Sequence, residues 1–518
     1  MNNFDINNFE DESVWDLICD GRTKGVFQLE SQLGRSWAKK VQPRNINDLA
    51  ALISLIRPGC LRAVTDGKSM TQHYCDRKAN QDPVTYPDDS LEDILSETYG
   101  VLVYQEQSMM IAQKLAGFNL KEADDLRKAI GKKKASLMER VKAAFLKGAE
   151  EQGIVTKEVA EEIFSWIEKS NRYAFNKSHA VSYAINAYWS AYCKRYKAVK
   201  FYVSYLNHSD RKPDSQKELK ELIVDAKLSD IEVYPPRLQH LNTDFFAESD
   251  TIYFGLNHIK HVGKNECEKI EGVCLEEDVS LYSWMDVLTK IIYKTRLNKR
   301  AAIALISVGA FNGVNNTMDR ERMLYEFDSW KDLTAREQEY IYNSRHMFDK
   351  KSYLVDAIND LINNCKINSR RLTTVLAIKQ MLDSPPHELK DNIPLLAQNE
   401  EKYMGCSLTC SKTDAIDASF SGSLCRDIAK GAIIGKTNIV AQISSVREYR
   451  TKRGKNPGQL MAFLCIEDGS GSLDSVTIFP ESYGKYRDLL IEGNTVLMNG
   501  EISQRENTSL IVNKVAQV

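Results

Sequence analysis

Between about residues 10 and 210 the apolar positions recur mainly at helical spacing. Leu49, Leu52, Ile53, Leu55 and Ile56 form one such face. Arg57-Pro58-Gly59 ends it, because proline lacks the N–H that continues the ladder and glycine frees the turn. Residues 60–98 read as turn-rich, with Pro83, Pro87 and the pair Asp88-Asp89. Helices are predicted over 105–116 and 135–150; Gly153 breaks the second, and Thr156 is placed to N-cap the next. A long helical pattern rich in aromatic residues covers 180–206.

Tyr234-Pro235-Pro236-Arg237 marks a boundary. Beyond it a strand is predicted at 251–256, followed by an apolar-x-Gly turn at 259–265 that leads into a helix, and a second such turn at 306–311. Residues 320–400 are helical and charged, with a break at Pro385-Pro386. From about 436 the period shortens to two. Strands at 437–446, 460–467, 475–479, 495–502 and 509–515, with a helix at 481–490 between the third and fourth, match an OB-fold barrel. The expected fold is multidomain: helical over 1–210, turns and helices over 211–315, a helical connector over 316–430 and an all-β barrel over 431–518.

A length of 518 residues exceeds one compact core and fits three or four domains. The net charge of −2 means that any nucleic-acid contact must come from local clusters. Eleven cysteines are scattered without a CxxC pair; Cys406 and Cys410 stand at CxxxC spacing with no neighbouring histidine, a poor zinc pattern. Free thiols in a reducing cytoplasm fit better, and the cytoplasm is the expected location. The N-terminus does not read as a signal peptide, and no apolar run reaches the ~18 residues of a membrane span.

Two clusters could carry chemistry. From Lys121 to Lys147 nine Lys/Arg face four Asp/Glu, and the knot Arg127-Lys128…Gly131-Lys132-Lys133-Lys134 is either a solvated helix face or a cradle for a triphosphate, with Gly131 breaking the helix or admitting an anion. Asn176-Lys177-Ser178-His179, just ahead of the 180–206 helix, either caps that helix or meets a phosphate or base. In the barrel, Arg447-Glu448-Tyr449-Arg450-Thr451-Lys452-Arg453-Gly454-Lys455 sets five cations and a tyrosine on the loop joining the first two strands. That arrangement suits single-stranded DNA or a mobile solvated loop.

As a set, five strings resemble the fingers of the bacterial replicative DNA polymerase III alpha subunit, the C family. They are Ala123–Lys133, Phe175–Tyr183, Gly25–Ser31, Leu55–Gly59 and Tyr99–Gln107. The resemblance implies that Arg127 and Lys128, with Lys132 and Lys133, contact the incoming nucleotide triphosphate. The family usually has two arginines there, so Lys128 keeps the charge and loses the fork geometry. It implies nucleotide or template contact for Lys177, Ser178 and His179, and a framing role for Gln28, Glu30, Tyr104, Gln105 and Gln107; Arg57, just before Pro58-Gly59, either touches the DNA backbone or anchors the turn. The turn at 259–263 resembles a helix-hairpin-helix hairpin, whose backbone N–H groups hold a DNA phosphate. His261 stands where such a hairpin usually has its first glycine, and Lys260, Val262, Gly263 and Lys264 are the expected contacts. Arg450, Lys452, Arg453 and Lys455 would hold DNA on the barrel. Met347-Phe348 would anchor a sliding clamp, without the family's leading glutamine; a buried helix edge is the alternative. The four regions then read as fingers, helix-hairpin-helix region, clamp-contact connector and OB-fold.

Polymerases of this family bind two metals on an Asp-x-Asp strand and a third aspartate. Neither string occurs here, and Asp414 and Asp417 differ in spacing. The resemblance therefore implies the C-terminal half of a split polymerase, as a separate gene product or a truncation. Mg²⁺ would sit at the palm of a partner polypeptide. Primer-template DNA, dNTP, that palm chain and a sliding clamp are the expected partners, and no membrane. The alternative is a non-catalytic DNA- or clamp-binding protein on a polymerase scaffold.

Overall fold

Helix starts in this chain are set where short polar side chains reach the free N–H groups of a first turn. The computed structural model describes residues 8–132, 135–170, 173–417, 420, 422–451, 457–503 and 508–518. They fall into two units, Met1–Phe201 and Tyr202–Val518.

In the first unit Asn45 caps helix Ile46–Leu55 through Asp48 N at 2.8 Å, and every residue from Asp48 to Leu55 is buried. Proline at 58 both stops this helix and opens a short one, Pro58–Arg62. Helix Gln105–Ala116 ends at Gly117 in the left-handed region (φ 64), and helix Ala135–Gln152 ends at Gly153 (φ 65). Thr156 Oγ1 accepts from Val159 N at 3.4 Å and caps Lys157–Ser170. Two apolar cores result. One gathers Val14, Trp15, Leu52, Tyr74, Val103 and Tyr188; the other gathers Leu95, Leu115, Leu126, Phe145, Phe164 and Ala174.

Three expectations are corrected here. The turn-rich stretch 60–98 contains a helix, Met70–Lys78, capped by Ser69 and burying Tyr74 completely; its polar residues blunt the apolar period. Gly131 does not break its helix, which runs Leu120–Lys132. The aromatic helix begins at Lys177, not 180, and divides at Lys197 into Lys177–Tyr196 and Ala198–Leu206.

The packing of Ala135–Gln152 on Gln105–Ala116 depends on Gly148. A Cβ there would lie 2.1 Å from the Ala116 carbonyl oxygen, a backbone atom that cannot swing aside. Gly148→Ala is expected to destabilise the unit by about 1–3 kcal/mol, the usual cost of overpacking. A urea midpoint equal to that of the parent chain would contradict this close approach.

In the second unit a small sheet joins Glu232–Tyr234, Thr251–Tyr253 and Phe246–Glu248 in that spatial order. The hairpin at 259–263 leads into helix Lys264–Glu276, and helix Lys299–Ser307 leads into a second turn at Gly309 (φ 78). A buried ion knot fastens that second turn to the connector: Arg320 Nη1 donates to Glu400 Oε1 at 2.7 Å and to Ser307 O at 3.2 Å.

The last region is a closed five-stranded barrel with OB order. Strand Lys436–Arg450 pairs first with Thr495–Ile502 and then with Leu460–Asp468. Leu510–Gln517 closes the barrel, antiparallel to Thr495–Ile502 and parallel to Gly471–Ile478. Helix Pro480–Tyr486 stands between the third and fourth strands, as the sequence predicts. The interior is apolar, with Ile439, Ile443, Leu464, Val476, Met498 and Val512 fully enclosed or nearly so.

Candidate nucleic-acid interface

Segments about seventy residues apart in the first unit are laced together edge to edge. Phe175 N donates to Val103 O at 3.0 Å, and Gln105 N donates to Phe175 O at 2.9 Å, a short parallel bridge. Beside it the Glu106 carboxylate receives Asn176 Nδ2 at 2.8 Å and Lys177 N at 2.9 Å. Asn176 Oδ1 accepts from His179 N at 3.0 Å and from Ser178 Oγ at 2.6 Å, so it is the N-cap of Lys177–Tyr196. A carboxylate and a capping amide thus satisfy the positive end of this helix. Lys177, Ser178 and His179 occupy its first turn and not the loop ahead of it, which corrects the expected placement. Gln107, almost wholly buried, accepts from Val103 N and Tyr104 N at 3.0 Å and donates to Thr98 Oγ1 at 2.8 Å. Tyr104–Gln107 thus holds the lacing from its own side.

An aromatic edge grows from this lacing. The rings of Phe175 and His179 lie 6.5 Å apart, those of His179 and Tyr183 6.1 Å, and those of Tyr183 and Phe27 5.2 Å. The Arg57 guanidinium sits 4.2 Å over the Phe175 ring. Four of the five strings therefore meet: Phe27, Arg57, Tyr104–Gln107 and Phe175–Tyr183. Lys177 Nζ reaches both oxygens of Glu97 at 2.8 Å and lies 5.6 Å over Tyr104. Its side chain is partly exposed, so the pair orients the lysine more than it stabilises the fold.

The fifth string stands apart. Arg127 Nε and Nη2 donate to Asp124 Oδ1 at 2.9 and 2.8 Å, and Lys128 Nζ lies 2.6 Å from Asp124 Oδ2. Hydrogen bonds from Lys128 and then Arg127 hold the Asp124 carboxyl below the usual range, and the same carboxylate raises Lys128. The opposite face of this helix, with Ala123, Leu126 and Ala129, is buried in the core that holds Ala174. Among the described residues no bond joins Arg127 or Lys128 to the Lys177 turn. Lys133 lies outside the described residues, as does the Lys132 side chain.

In the hairpin His261 adopts φ 73, the left-handed conformation expected of the glycine it replaces, and Val262 N donates to Ile259 O at 3.0 Å. Gly263 begins helix Lys264–Glu276 with no side-chain cap, and a Cβ on it would meet open space. Lys260 and Lys264 are exposed beside it, and Val262 is buried beneath. On the barrel, Arg447, Tyr449 and Arg450 belong to the long first strand and not to the loop, a correction; pairing continues to Arg450↔Leu460. Arg447 lies 5.1 Å over Phe463, and Arg450 Nη1 donates to Gly458 O at 3.2 Å. Lys452, Arg453 and Lys455 lie outside the described residues. Met347 ends a single 3₁₀ turn, Arg345–Met347, and is 62% exposed, with Phe348 partly exposed; a buried helix edge is not what forms there.

Residues 2–153 match the bacterial DNA polymerase III alpha subunit finger domain, and residues 230–323 match a helix-hairpin-helix motif. Over residues 2–153 the chain is thus similar to that finger domain. It is 31% identical over 515 residues to a DNA polymerase III subunit alpha of Aquifex aeolicus (strain VF5), covering 98% of this chain and 39% of that protein. It is 30% identical to the subunits named alike of Borreliella burgdorferi and of Staphylococcus aureus (strain MSSA476), covering 99% and 98% of this chain and 42% and 43% of those proteins. The chain thus spans about two fifths of the length of these relatives. The finger match holds Arg57, Glu97, Glu106, Arg127 and Lys128; the lacing brings Lys177 to it from beyond its end.

Two site residues were not singled out from the sequence. Asp124 was legible, because it stands three and four residues before Arg127 and Lys128. Glu97 was not, being 80 residues from Lys177. A cleft of about 920 Å³ in the same unit contains none of the expected site residues; Asp66, Glu158, Glu161 and Glu162 there offset His73, Arg77, Lys142 and Lys169, which makes it a poor triphosphate site. Among the described residues no three His, Cys, Asp or Glu side chains converge to hold a metal, and no helix is long and apolar enough to cross a membrane.

Proposed function

We propose that this chain supplies the nucleotide-facing and DNA-holding parts of a template-directed replicative DNA polymerase, and that the metal-binding aspartates, with Mg²⁺, belong to a separate polypeptide. The observation that carries the reading is the lacing of Glu106 to Asn176 and Lys177, which assembles dispersed finger strings into one partly exposed edge. In this reading Arg127 and Lys128, extended by Lys132 and Lys133, neutralise the triphosphate as pyrophosphate departs, when negative charge on the leaving oxygens is greatest. Lys177, Ser178 and His179 meet the nucleotide or the template. Asp124 and Glu97 hold these cations in place and must yield them to a triphosphate on binding.

Arg57 and the hairpin residues Lys260, Val262, Gly263 and Lys264 hold the DNA backbone, where an uncapped helix start offers N–H groups to a phosphate. Arg450, Lys452, Arg453 and Lys455 hold single-stranded DNA on the barrel, and Met347 and Phe348 dock on a sliding clamp. The polypeptide carrying an Asp-x-Asp palm completes the site.

The pure chain, given primed template, dNTPs and Mg²⁺, is expected to extend no primer. A tagged chain recovered from its native cells is expected to bring a near-stoichiometric Asp-x-Asp polypeptide, and that eluate extends the primer. Extension by the pure chain overturns the assignment of the aspartates. An eluate holding only a clamp or other DNA-binding proteins overturns the polymerase reading in favour of a non-catalytic scaffold.

A further inference from the structure

In the second unit a cleft of about 630 Å³ opens beside the turn that precedes helix Lys299–Ser307. Its volume lies in the range of small-ligand sites, roughly 300–1,000 Å³. Ile292 and Tyr293, which line it, end Val287–Tyr293, a seven-residue π-helix, a rare conformation frequent at functional sites. The widened spacing continues past it, with Lys294 N donating to Thr289 O and Leu297 N to Ile292 O, both at 3.0 Å. Arg296 takes φ 52, and its carbonyl receives Lys269 Nζ at 3.1 Å, a lysine also held by Glu266 at 3.1 Å. The turn is thus built and tethered from one side.

Its cations are unequal. Lys294 is paired with Glu276 at 3.0 Å and Lys331 with Asp328. Arg296 and Lys299 line the same cleft and are exposed, and among the described residues neither has a carboxylate partner. Next to them are two partly exposed rings, Tyr293 and Tyr342, with centroids 5.5 Å apart; Tyr293 is braced edge-on by buried Trp330 at 6.1 Å. Glu339 is the one carboxylate among the lining residues.

We infer that this cleft binds single-stranded nucleic acid, with successive backbone phosphates on Arg296 and Lys299 and a base stacked on the Tyr342–Tyr293 pair. Cations that have no carboxylate partner among the described residues, beside partly exposed rings, are the two elements that sequence-tolerant strand binding needs, and the Arg345 guanidinium, 4.3 Å over the Tyr342 ring, already takes one of its faces. An acidic peptide would satisfy the cations and leave the rings without a planar partner. The cleft is not the hairpin contact: it lies at the start of a nine-residue helix whose end carries the second turn, about 13 Å away at 1.5 Å per residue. The inference rests on the DNA-holding reading of this chain and adds a separate site to it.

The test is ultraviolet cross-linking of the full chain to oligothymidylate carrying thiothymidine, with the attachment points mapped by mass spectrometry. Cross-links within 292–299 or 335–343 are expected. Cross-links confined to the barrel or the hairpin overturn the cleft and leave the DNA-holding reading standing; none anywhere overturns both. Binding is then read by anisotropy. Arg296→Gln with Lys299→Gln is expected to flatten the salt dependence of log K by about one to one and a half, the release of counter-ions at two phosphates. Tyr342→Ala is expected to weaken binding about tenfold, the worth of one stacked base, and Tyr342→Phe to leave it unchanged. An unchanged salt slope, or tighter capture of a labelled acidic peptide than of the oligonucleotide, overturns the inference.

Discussion

Replacing Glu400 by alanine is expected to lower the stability of the second unit by about 3–5 kcal/mol, the cost of stranding one member of a buried ion pair. Glu400 is fully enclosed. Its carboxylate accepts from Arg320 Nη1 at 2.7 Å, Leu408 N at 2.6 Å and Thr409 N at 2.9 Å, and from the Thr409 hydroxyl. Arg320 also donates through Nη2 to Thr409 Oγ1 at 2.9 Å. It is itself buried and packs against Gly309, where a Cβ would lie 2.6 Å from Nη2. Alanine therefore leaves a buried guanidinium without counter-charge, two N–H groups without acceptors, and a cavity. The comparison that isolates the charge is Arg320→Met with Glu400→Leu, which removes both ions together and is expected to cost much less than Glu400→Ala alone. The check is the shift in the urea midpoint at constant slope. A Glu400→Ala chain that unfolds with the parent would mean that water, not Arg320, compensates this carboxylate. The knot ties Ser307, beside the second turn, to the connector, so its loss should also loosen that end of the helix-hairpin-helix region.

Arg127→Ala is the functional counterpart. In the complex with the palm polypeptide, kcat/KM for nucleotide incorporation is expected to fall about a hundredfold, the scale of one lost charge-stabilising donor in a transition state. Arg127→Lys should recover part of this, since it restores charge and not the bidentate fork. Folding should not suffer. The pairs of Arg127 and Lys128 with Asp124 are solvent-exposed, and such pairs contribute little to stability. A fall in kcat with KM unchanged would place Arg127 on the departing pyrophosphate; a rise in KM alone would place it in ground-state binding. Full activity of the alanine variant, with normal incorporation kinetics, would remove Arg127 from the site.

Much of this architecture was legible in the chain. The barrel strands could be read because one face is buried and the other wet, which writes a period of two into the residues, as in Thr495–Ile502 with Val496, Met498, Gly500 and Ile502 turned inward. Gly153 and Thr156 could be read because a left-handed C-cap and a hydroxyl N-cap are local demands. The helix Met70–Lys78 could not. It buries one ring, Tyr74, among polar neighbours that reach other segments, such as Asp76 to Lys68 at 2.7 Å, and no period marks such a helix. The strand character of Arg447–Arg450 was hidden because charged residues on an exposed strand look like a loop.

By itself the sequence determined the helical and β regions, the succession of the barrel strands along the chain and the set of cations available for phosphate, because propensity, capping and alternation act over a few residues. Only the tertiary structure decided which of those cations share a site. Glu106 meets Lys177 across 71 positions and Glu97 meets it across 80, while Asp124 holds Arg127 and Lys128 on another helix. It also decided that the last strand closes the barrel parallel to the third, and that Arg296 and Lys299 line one cleft with Tyr342, without a carboxylate partner among the described residues. Pairings at that separation carry no local signature; they follow from which apolar faces bury each other, and that is settled only when the whole chain packs.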